Sequence, residues 1–299
     1  MIHCEKGHEN PDGALFCKDC GRPFSVKKRS FIAKLWYRKR KLIIISASVL
    51  VLLIVSLIVI SVYESNKSRR YWQEQEDERD FESVKIEGTI SSVDYYLTSH
   101  PQGKYAGFLT SLRNAAVNPD YTQDSGYYAD RRDGIIYKWV KIGSQIWMAN
   151  NLIWNNQDRG SFYYEYRIDV AIPEGWKLPG IDDWRQLAEF VAGVDSSKIN
   201  SVGKMLKSKQ GWDVLGNGTD NFGFSVKPVG FCGTHYSNNE FEVQKRGQEA
   251  HFWTSTKIKD NAEPRRARII FSYEQDGMLY DLSEYSDKYY ACCIRCIKK

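Results

Sequence analysis

The sequence predicts an α+β protein in which helices come first and a strand-rich domain comes last. Three observations predict it. Residues 42–62, LIIISASVLVLLIVSLIVISV, form a run of 21 positions without a charge, the length of a membrane-crossing helix. Apolar residues at helical spacing follow between Ile86 and Leu112. Beyond about residue 129 the pattern changes to short runs dense in Trp and Tyr, broken by Gly and Asn turns, with no βαβ alternation. The 299 residues then divide into a head (1–26), a basic segment (27–41), the apolar span (42–62), a helical stalk (63–128) and an outer domain (129–299).

The head carries three of the seven cysteines. Cys17-Lys-Asp-Cys20-Gly21 is a knuckle: two thiols two residues apart, followed by a glycine for the tight turn. Cys4-Glu-Lys-Gly7-His8 is its expected partner. Zinc in structural sites takes four tetrahedral N and S ligands, so Cys4, His8, Cys17 and Cys20 are the predicted set, with His3 as a competing fourth ligand. So short a segment cannot bury a core, and the metal would supply the folding energy. The segment resembles bacterial zinc-ribbon heads of the form C-x-x-G-H-x-N, then F-C-x-x-C-G, through Cys4, Gly7, His8, Asn10, Phe16, Cys17, Cys20 and Gly21. Four protein ligands leave no position open for substrate. The expected roles are folding or the docking of a cytoplasmic protein. The alternative is three cytosolic cysteines without a metal.

The flanks of the span give an orientation. Lys27, Lys28, Arg29, Lys34, Arg38, Lys39, Arg40 and Lys41 precede it, and only Lys67, Arg69 and Arg70 follow at comparable distance. Basic excess stays in the cytoplasm. The expectation is a single-pass, type II protein of the inner membrane, with its head in the cytoplasm and its C-terminal domain periplasmic or extracellular. A cleaved signal peptide fits poorly, because a motif-bearing head comes first and no small-x-small site follows. A buried soluble helix is the other reading. The net charge of +5 reflects the cluster beside the span, which suits anionic lipid headgroups. Its position explains it without a nucleic-acid partner.

In the stalk, the acid-rich stretch from Tyr71 to Asp80 reads as a solvated helix or linker. Ile86, Ile90, Val93 and Leu97 mark one apolar helical face, and Tyr105, Phe108, Leu109 and Leu112 a second. Ser99-His-Pro-Gln-Gly103 breaks them into a helical hairpin. The run Tyr96-Leu97, Pro101, Gly103, Tyr105 is similar to small helical-repeat segments of bacterial envelope proteins. Asn118 to Gly126 reads as a loop.

The outer domain opens with a turn at Asp130-Arg-Arg-Asp133-Gly134. A hairpin follows: a strand from Ile136, a turn at Gly143-Ser144, and a strand of Gln145-Ile-Trp147-Met148. Pro173-Glu-Gly175-Trp176-Lys-Leu178-Pro179 leads to a helix with Asp182 as N-cap and with Trp184, Leu187, Ala188 and Val191 on one face. Gly211-Trp212, Gly223-Phe224-Ser225, Pro228-Val229-Gly230 and Phe252-Trp253-Thr254-Ser255-Thr256 come next. A strand with Ile294-Arg295-Cys296-Ile297 ends the domain. This order of motifs resembles the Fibrobacter succinogenes major paralogous domain. The chain departs from that pattern in the middle, at Tyr163-Tyr164-Glu165, and near the end, where Cys292 and Cys293 precede the usual last cysteine. The resemblance implies a C-type lectin-like fold, in which Trp147, Trp176, Trp184, Trp212 and Trp253 are core.

Three kinds of function are open to this domain. Catalysis finds no His or Ser motif at His235 or His251. The lectin-like relatives include formylglycine-generating enzymes that use a cysteine pair, which Cys292, Cys293 and Cys296 bring to mind. A structural disulfide joining Cys232 to Cys292 or Cys296 is the expectation for an exported domain. Calcium-dependent sugar binding is suggested by Glu263-Pro264-Arg265, but six or more oxygen ligands cannot be assembled. Recognition by Tyr-rich loops makes Tyr236, Glu263, Arg265, Tyr273 and Tyr280 the candidate ligand-binding residues. The sequence thus predicts a non-enzymatic envelope protein that binds a protein or glycan ligand. A cysteine-dependent oxidase and a structural assembly protein are the alternatives.

Overall fold

The computed structural model describes residues 1–24, 31–155, 160–193, 196–234, 241–258, 265–282 and 290–299. It divides into two units, Met1–Glu74 and Gln75–Lys299.

The first unit begins with two short antiparallel strands, β1 (Ile2–His3) and β2 (Glu9–Asn10), in register Ile2 with Asn10. Among the described residues of the head only Asn10 and Cys17 are buried. There is no hydrophobic core here, so a few residues and their cross-links must hold the shape.

Helix α1 (Phe31–Glu87) runs from this unit into the next and is long and apolar enough to cross a membrane. The predicted span lies wholly within it, and residues 42–62 are exposed on every face. A soluble surface helix shows one apolar stripe; an all-round apolar surface belongs to a helix solvated by lipid or protein. Three of the four serines on the run are satisfied internally. Ser46, Ser48 and Ser56 donate to the carbonyls of Ile43, Ile44 and Leu53 at 2.8–2.9 Å, as a hydrocarbon surround requires. Trp36 and Tyr37 precede the run, with Arg40 and Lys41 over their rings at 5.3 and 4.8 Å, and Tyr63 follows it. Such aromatic and basic girdles mark bilayer interfaces.

In the second unit the end of α1 packs with α2 (Ile90–Ser99) and α3 (Ala106–Val117) around Val84, Val93, Tyr96 and Leu109. Gly88, at φ +61°, stops α1. Thr89 then caps α2, its hydroxyl accepting from the Ser92 N–H at 3.1 Å while Ser92 Oγ accepts from the Thr89 N–H. The apolar face read from Ile86 to Leu97 is therefore split. Ile86 is 84% exposed at the end of α1, and Val93 is buried on α2. The acid-rich stretch is likewise more than a solvated linker. Asp77 accepts from the Tyr96 hydroxyl and from the Lys104 N–H, Glu78 from the Tyr105 hydroxyl, and Asp80 lies 2.9 Å from His100 Nε2. Phe81 stacks on Tyr105 at 3.6 Å between ring centres. Gly103 is required at this turn, because a Cβ there would stand 2.5 Å from the Tyr96 hydroxyl oxygen.

The strand-rich part starts at Ser125, not at 129. Strand β3 (Ser125–Ala129) pairs antiparallel with β4 (Ile136–Ile142), so Ser125 and Gly126, read as loop, are strand. Strand β4 pairs with β5 (Gln145–Met148) as the predicted hairpin, Val140 opposite Trp147. Then come β6 (Phe162–Tyr164), the short α4 (Ile168–Ala171), β7 (Trp176–Lys177), α5 (Ile181–Ala192) and α6 (Val202–Leu206). The last strands are β8 (Phe231–Thr234), β9 (Phe241–Gln244), β10 (Glu249–Ile258), β11 (Arg265–Ser272), β12 (Met278–Asp281), β13 (Ala291–Cys293) and β14 (Ile297–Lys298). One sheet has the order β3-β4-β5-β14-β7. The other has β12-β11-β10-β13-β8-β9, with β6 also on β13.

Two predictions about this region change. Helix α5 starts two residues earlier than expected, with Gly180 at the N-cap, and the capping carboxylate is Asp183, which accepts from the Gly180 N–H at 2.8 Å. Asp182 is exposed; Trp184, Leu187, Ala188 and Val191 are buried as predicted. The terminal strand is two strands in different sheets. The intervening carbonyls of Ile294 and Cys296 accept from Leu152 and Met148 N–H groups at 2.9 Å, where the chain passes from one sheet to the other. Trp147, Trp176, Trp184, Trp212 and Trp253 are all core, as expected.

Candidate functional site

The head gathers four potential ligands. The ligand atoms of Cys4, His8, Cys17 and Cys20 all lie within 4.8 Å of one another. Cys4 Sγ is 3.5 Å and Cys17 Sγ 3.6 Å from His8 Nδ1, and Cys4 Sγ is 3.8 Å from Cys20 Sγ. A tetrahedral ion with bonds of about 2.3 Å to sulfur and about 2.0 Å to nitrogen sets S···N near ~3.5 Å and S···S near ~3.8 Å. The cluster could therefore hold a metal ion. His3, the competing ligand, is elsewhere: its Nε2 is 3.3 Å from Glu9 Oε1 across the β1–β2 pair, on the exposed surface.

Local backbone chemistry builds the site. The Gly7 N–H donates to the Cys4 carbonyl and the Gly21 N–H to the Cys17 carbonyl, both at 2.8 Å. Both glycines sit at positive φ, +81° and +66°, which explains the glycine three and four positions after each knuckle cysteine. Asn10 organises the surround. Its amide donates to the His8 carbonyl at 2.9 Å and to Cys17 Sγ at 3.4 Å, and its Oδ1 accepts from the Lys18 N–H at 2.8 Å. Burial disfavours the Cys17 thiolate, but donors from Asn10, from the Asp19 and Cys20 backbone and from His8 outweigh it and bring the thiol down to about 5. Cys20 moves the other way. The Arg22 N–H favours its thiolate, yet the adjoining Cys17 and Cys4 thiols and burial push it up. Several thiols crowded round one thiolate is the charge pattern that a cation relieves.

The cysteines of the outer domain meet the opposite environment. Cys232, Cys292, Cys293 and Cys296 are completely buried. The expected disulfide is not formed; the structure carries them as thiols. The sheet gives the reason. Cys232 is paired with Ala291 and joins Cys293 in the core that holds Trp147 and Trp184. Cys292 and Cys296 face the other core, with Trp176 and Trp253. A bridge from Cys232 to either would have to cross the sheet. Burial drives the Cys293 thiol up to about 11, and it raises the Cys292 and Cys296 thiols as well.

Tyr236 and Glu263 lie outside the described residues. Arg265 opens β11 opposite Ile258, and Tyr280 lies on β12 opposite Ile269. The Tyr273 hydroxyl donates to its neighbour Glu274 at 2.9 Å.

Two groupings were not anticipated. His251 is 4% exposed; its Nε2 is 2.7 Å from Glu249 Oε2, and its Nδ1 is 2.9 Å from the Tyr290 hydroxyl. With a carboxylate at Nε2, the neutral ring carries its proton there and accepts from Tyr290 at Nδ1. Burial holds the imidazole below its ordinary range, against the pull of Glu249. The sequence signal was available, since Glu249 and His251 alternate on one strand face. The second grouping is Arg295, 1% exposed, which donates to the carbonyls of Met148 and Phe224 and to Asn151 Oδ1. It ties the linker between the two sheets to the first hairpin.

Residues 154–298 match the family model described as the Fibrobacter succinogenes major domain. The match covers β6 to β14, while β14 is hydrogen-bonded to β5 of the hairpin that precedes it. No curated protein and no solved structure matches the chain.

Proposed function

We propose that this chain is a single-pass protein of a bacterial envelope. Its head holds a structural zinc ion in the cytoplasm through Cys4, His8, Cys17 and Cys20. Its C-terminal domain, of C-type lectin-like type, recognises a protein or glycan outside the inner membrane. The observation that carries this reading is the charge-free run of α1, exposed on all faces, lying between a thiol-rich head and a domain whose cysteines are sealed in the core. A cluster of thiols suits the reducing side of a membrane. The eight basic residues before the span, against three after it, support an inside head.

The role of the outer domain is binding without chemistry. A cysteine-dependent oxidase needs a reachable thiolate. Here burial and raised thiols at Cys292, Cys293 and Cys296 support the non-enzymatic reading. The zinc head would serve folding or the docking of a cytoplasmic protein.

The test is a screen of the full chain in detergent against envelope proteins and glycan arrays, paired with protease treatment of spheroplasts. A specific ligand and a shielded head support the proposal. Digestion of the head from outside, or no ligand in either collection, refutes it.

A further inference from the structure

The strand-rich part holds a groove of about 830 Å³, lined from residues 160–162, 208–213, 225–229 and 246–247. Three cationic side chains line it, Lys209, Lys227 and Arg246. All three are exposed, and none is in a hydrogen bond or ion pair among the described residues. Two carboxylates share the lining, Asp213 and Asp220. Asp220 is already committed: it accepts from the Ser225 N–H at 2.9 Å and from the Ser225 hydroxyl. The groove therefore offers more free positive charge than negative.

Its rim is strained in an uncommon way. The Asp213 N–H donates to the Gly247 carbonyl at 2.7 Å, and the Gly216 N–H returns to the Asp213 carbonyl at 3.0 Å. This turn projects Val214 and Leu215, 80% and 94% exposed. Val214 stands at φ +51°, a left-handed conformation that is a strained one for a β-branched residue. Asp220, Ser225 and Lys245 are also at positive φ, so four of the five such non-glycine residues lie on or beside this groove. Strain that exposes an aliphatic pair does nothing for the core, and strain of this kind gathers where a protein binds.

The lining separates two ligand classes. Its one aromatic ring, Phe162, is 5% exposed, so a sugar finds no ring to stack on. Unpaired cations beside exposed aliphatic side chains suit a polypeptide that carries both acidic and aliphatic residues. We infer that this groove binds an acidic polypeptide segment, with its carboxylates at Lys209, Lys227 and Arg246 and an aliphatic side chain against Val214 and Leu215. The inference rests on the reading of the outer domain as a binding module and names its site and ligand class.

The full chain in detergent is panned against a randomised peptide display library and, in parallel, titrated with polygalacturonate as an acidic polysaccharide. The expected pool is enriched in Asp and Glu beside Leu, Ile or Val. In the triple variant K209E/K227E/R246E that acidic enrichment disappears, and the best peptide binds roughly tenfold more weakly or worse. Leu215→Ser removes the aliphatic preference. An unchanged melting temperature verifies folding, and Lys227→Gln alone serves if the triple variant is unstable. A pool without acidic enrichment, or one identical on the variant, overturns the inference. So does polygalacturonate held by the same cations with no peptide bound. A ligand found in the envelope screen that binds the triple variant as well as the parent would leave the binding role standing and remove only this groove.

Discussion

Cys17 and Cys293 are equally hidden from solvent, 2% and 0% exposed, yet their thiols are displaced in opposite directions, to about 5 and about 11. Burial alone does not decide what a cysteine is. In the head, an amide and several backbone N–H groups point at the sulfur, and the thiolate is favoured although it is covered. In the outer domain, Cys293 lies in a core of Trp, Phe and Ile side chains, with Ser161 Oγ at 3.4 Å and Asn151 as hydrogen-bonding neighbours. There it is a small apolar residue with a weakly polar edge. One region uses cysteine as an anion and the other uses it as a hydrocarbon.

The most severe way to break this comparison is to remove the anion. Cys17→Ser, or a strong chelator, should abolish metal binding and unfold the head. Metal-linked folding energy of this kind is on the order of 10 kcal/mol. Metal content and dispersion of the head's NMR signals read the outcome. Retained structure in metal-free buffer would show that the head does not depend on an ion. The converse perturbation is in the core. Trp184→Ala removes a fully buried ring that contacts Trp147, Phe224, Phe252 and Phe271, and should cost about 3–5 kcal/mol in a denaturant melt. The head's metal content should not change.

A thiol-reagent time course sharpens the same contrast. With chelator present, Cys4, Cys17 and Cys20 should be modified quickly, and the four outer thiols only at the rate of global unfolding. Fast labelling of Cys292 or Cys296 in the folded chain would reopen the enzymatic alternative.

The next effect is electrostatic. Burial lowers His251, so below its unfolded value of about 6.5 the unfolded chain takes up a proton that the folded chain refuses. Glu249 is lowered by its bond to His251, and its contribution is present above about 4.3 and lost as pH falls further. Both slopes have one sign: acidification from neutrality destabilises the outer domain. The melting temperature should fall as pH drops through 6, roughly, and His251→Gln should flatten that slope. The smallest effect is in the stalk. Asp80 is held below its ordinary range by His100, so its contribution disappears only in acid, and Asp80→Asn should cost about 1 kcal/mol at neutral pH.

Much of this was legible in the chain. Ligand spacing identified the metal cluster, because a tetrahedral ion imposes short-range geometry. It named His8 as the fourth ligand with His3 as the competitor, and the β1–β2 pairing takes His3 away to Glu9. The β4–β5 hairpin was read correctly because its turn is local and its strands alternate. Residues 294–296 defeated the same approach. Periodicity reports which face a side chain occupies, not which sheet the backbone has joined. The failed disulfide has the same origin. Strand alternation puts Cys292 and Cys293 on opposite faces, but the face of Cys232 is fixed only by its pairing with Ala291. The acidic stretch of the stalk looked solvated because its partners, Tyr96, His100, Lys104 and Tyr105, arrive from about twenty residues downstream or more.

Strands β13 and β14 come last in chain order but occupy interior places, β13 between β10 and β8 and β14 between β5 and β7. Neither sheet is whole until its own late strand has arrived. Until they arrive, the strands upstream have open edges, and an unpaired edge of that kind is a template for association with other chains. The interval before β13 and β14 pair is therefore when these sheets are most open to aggregation.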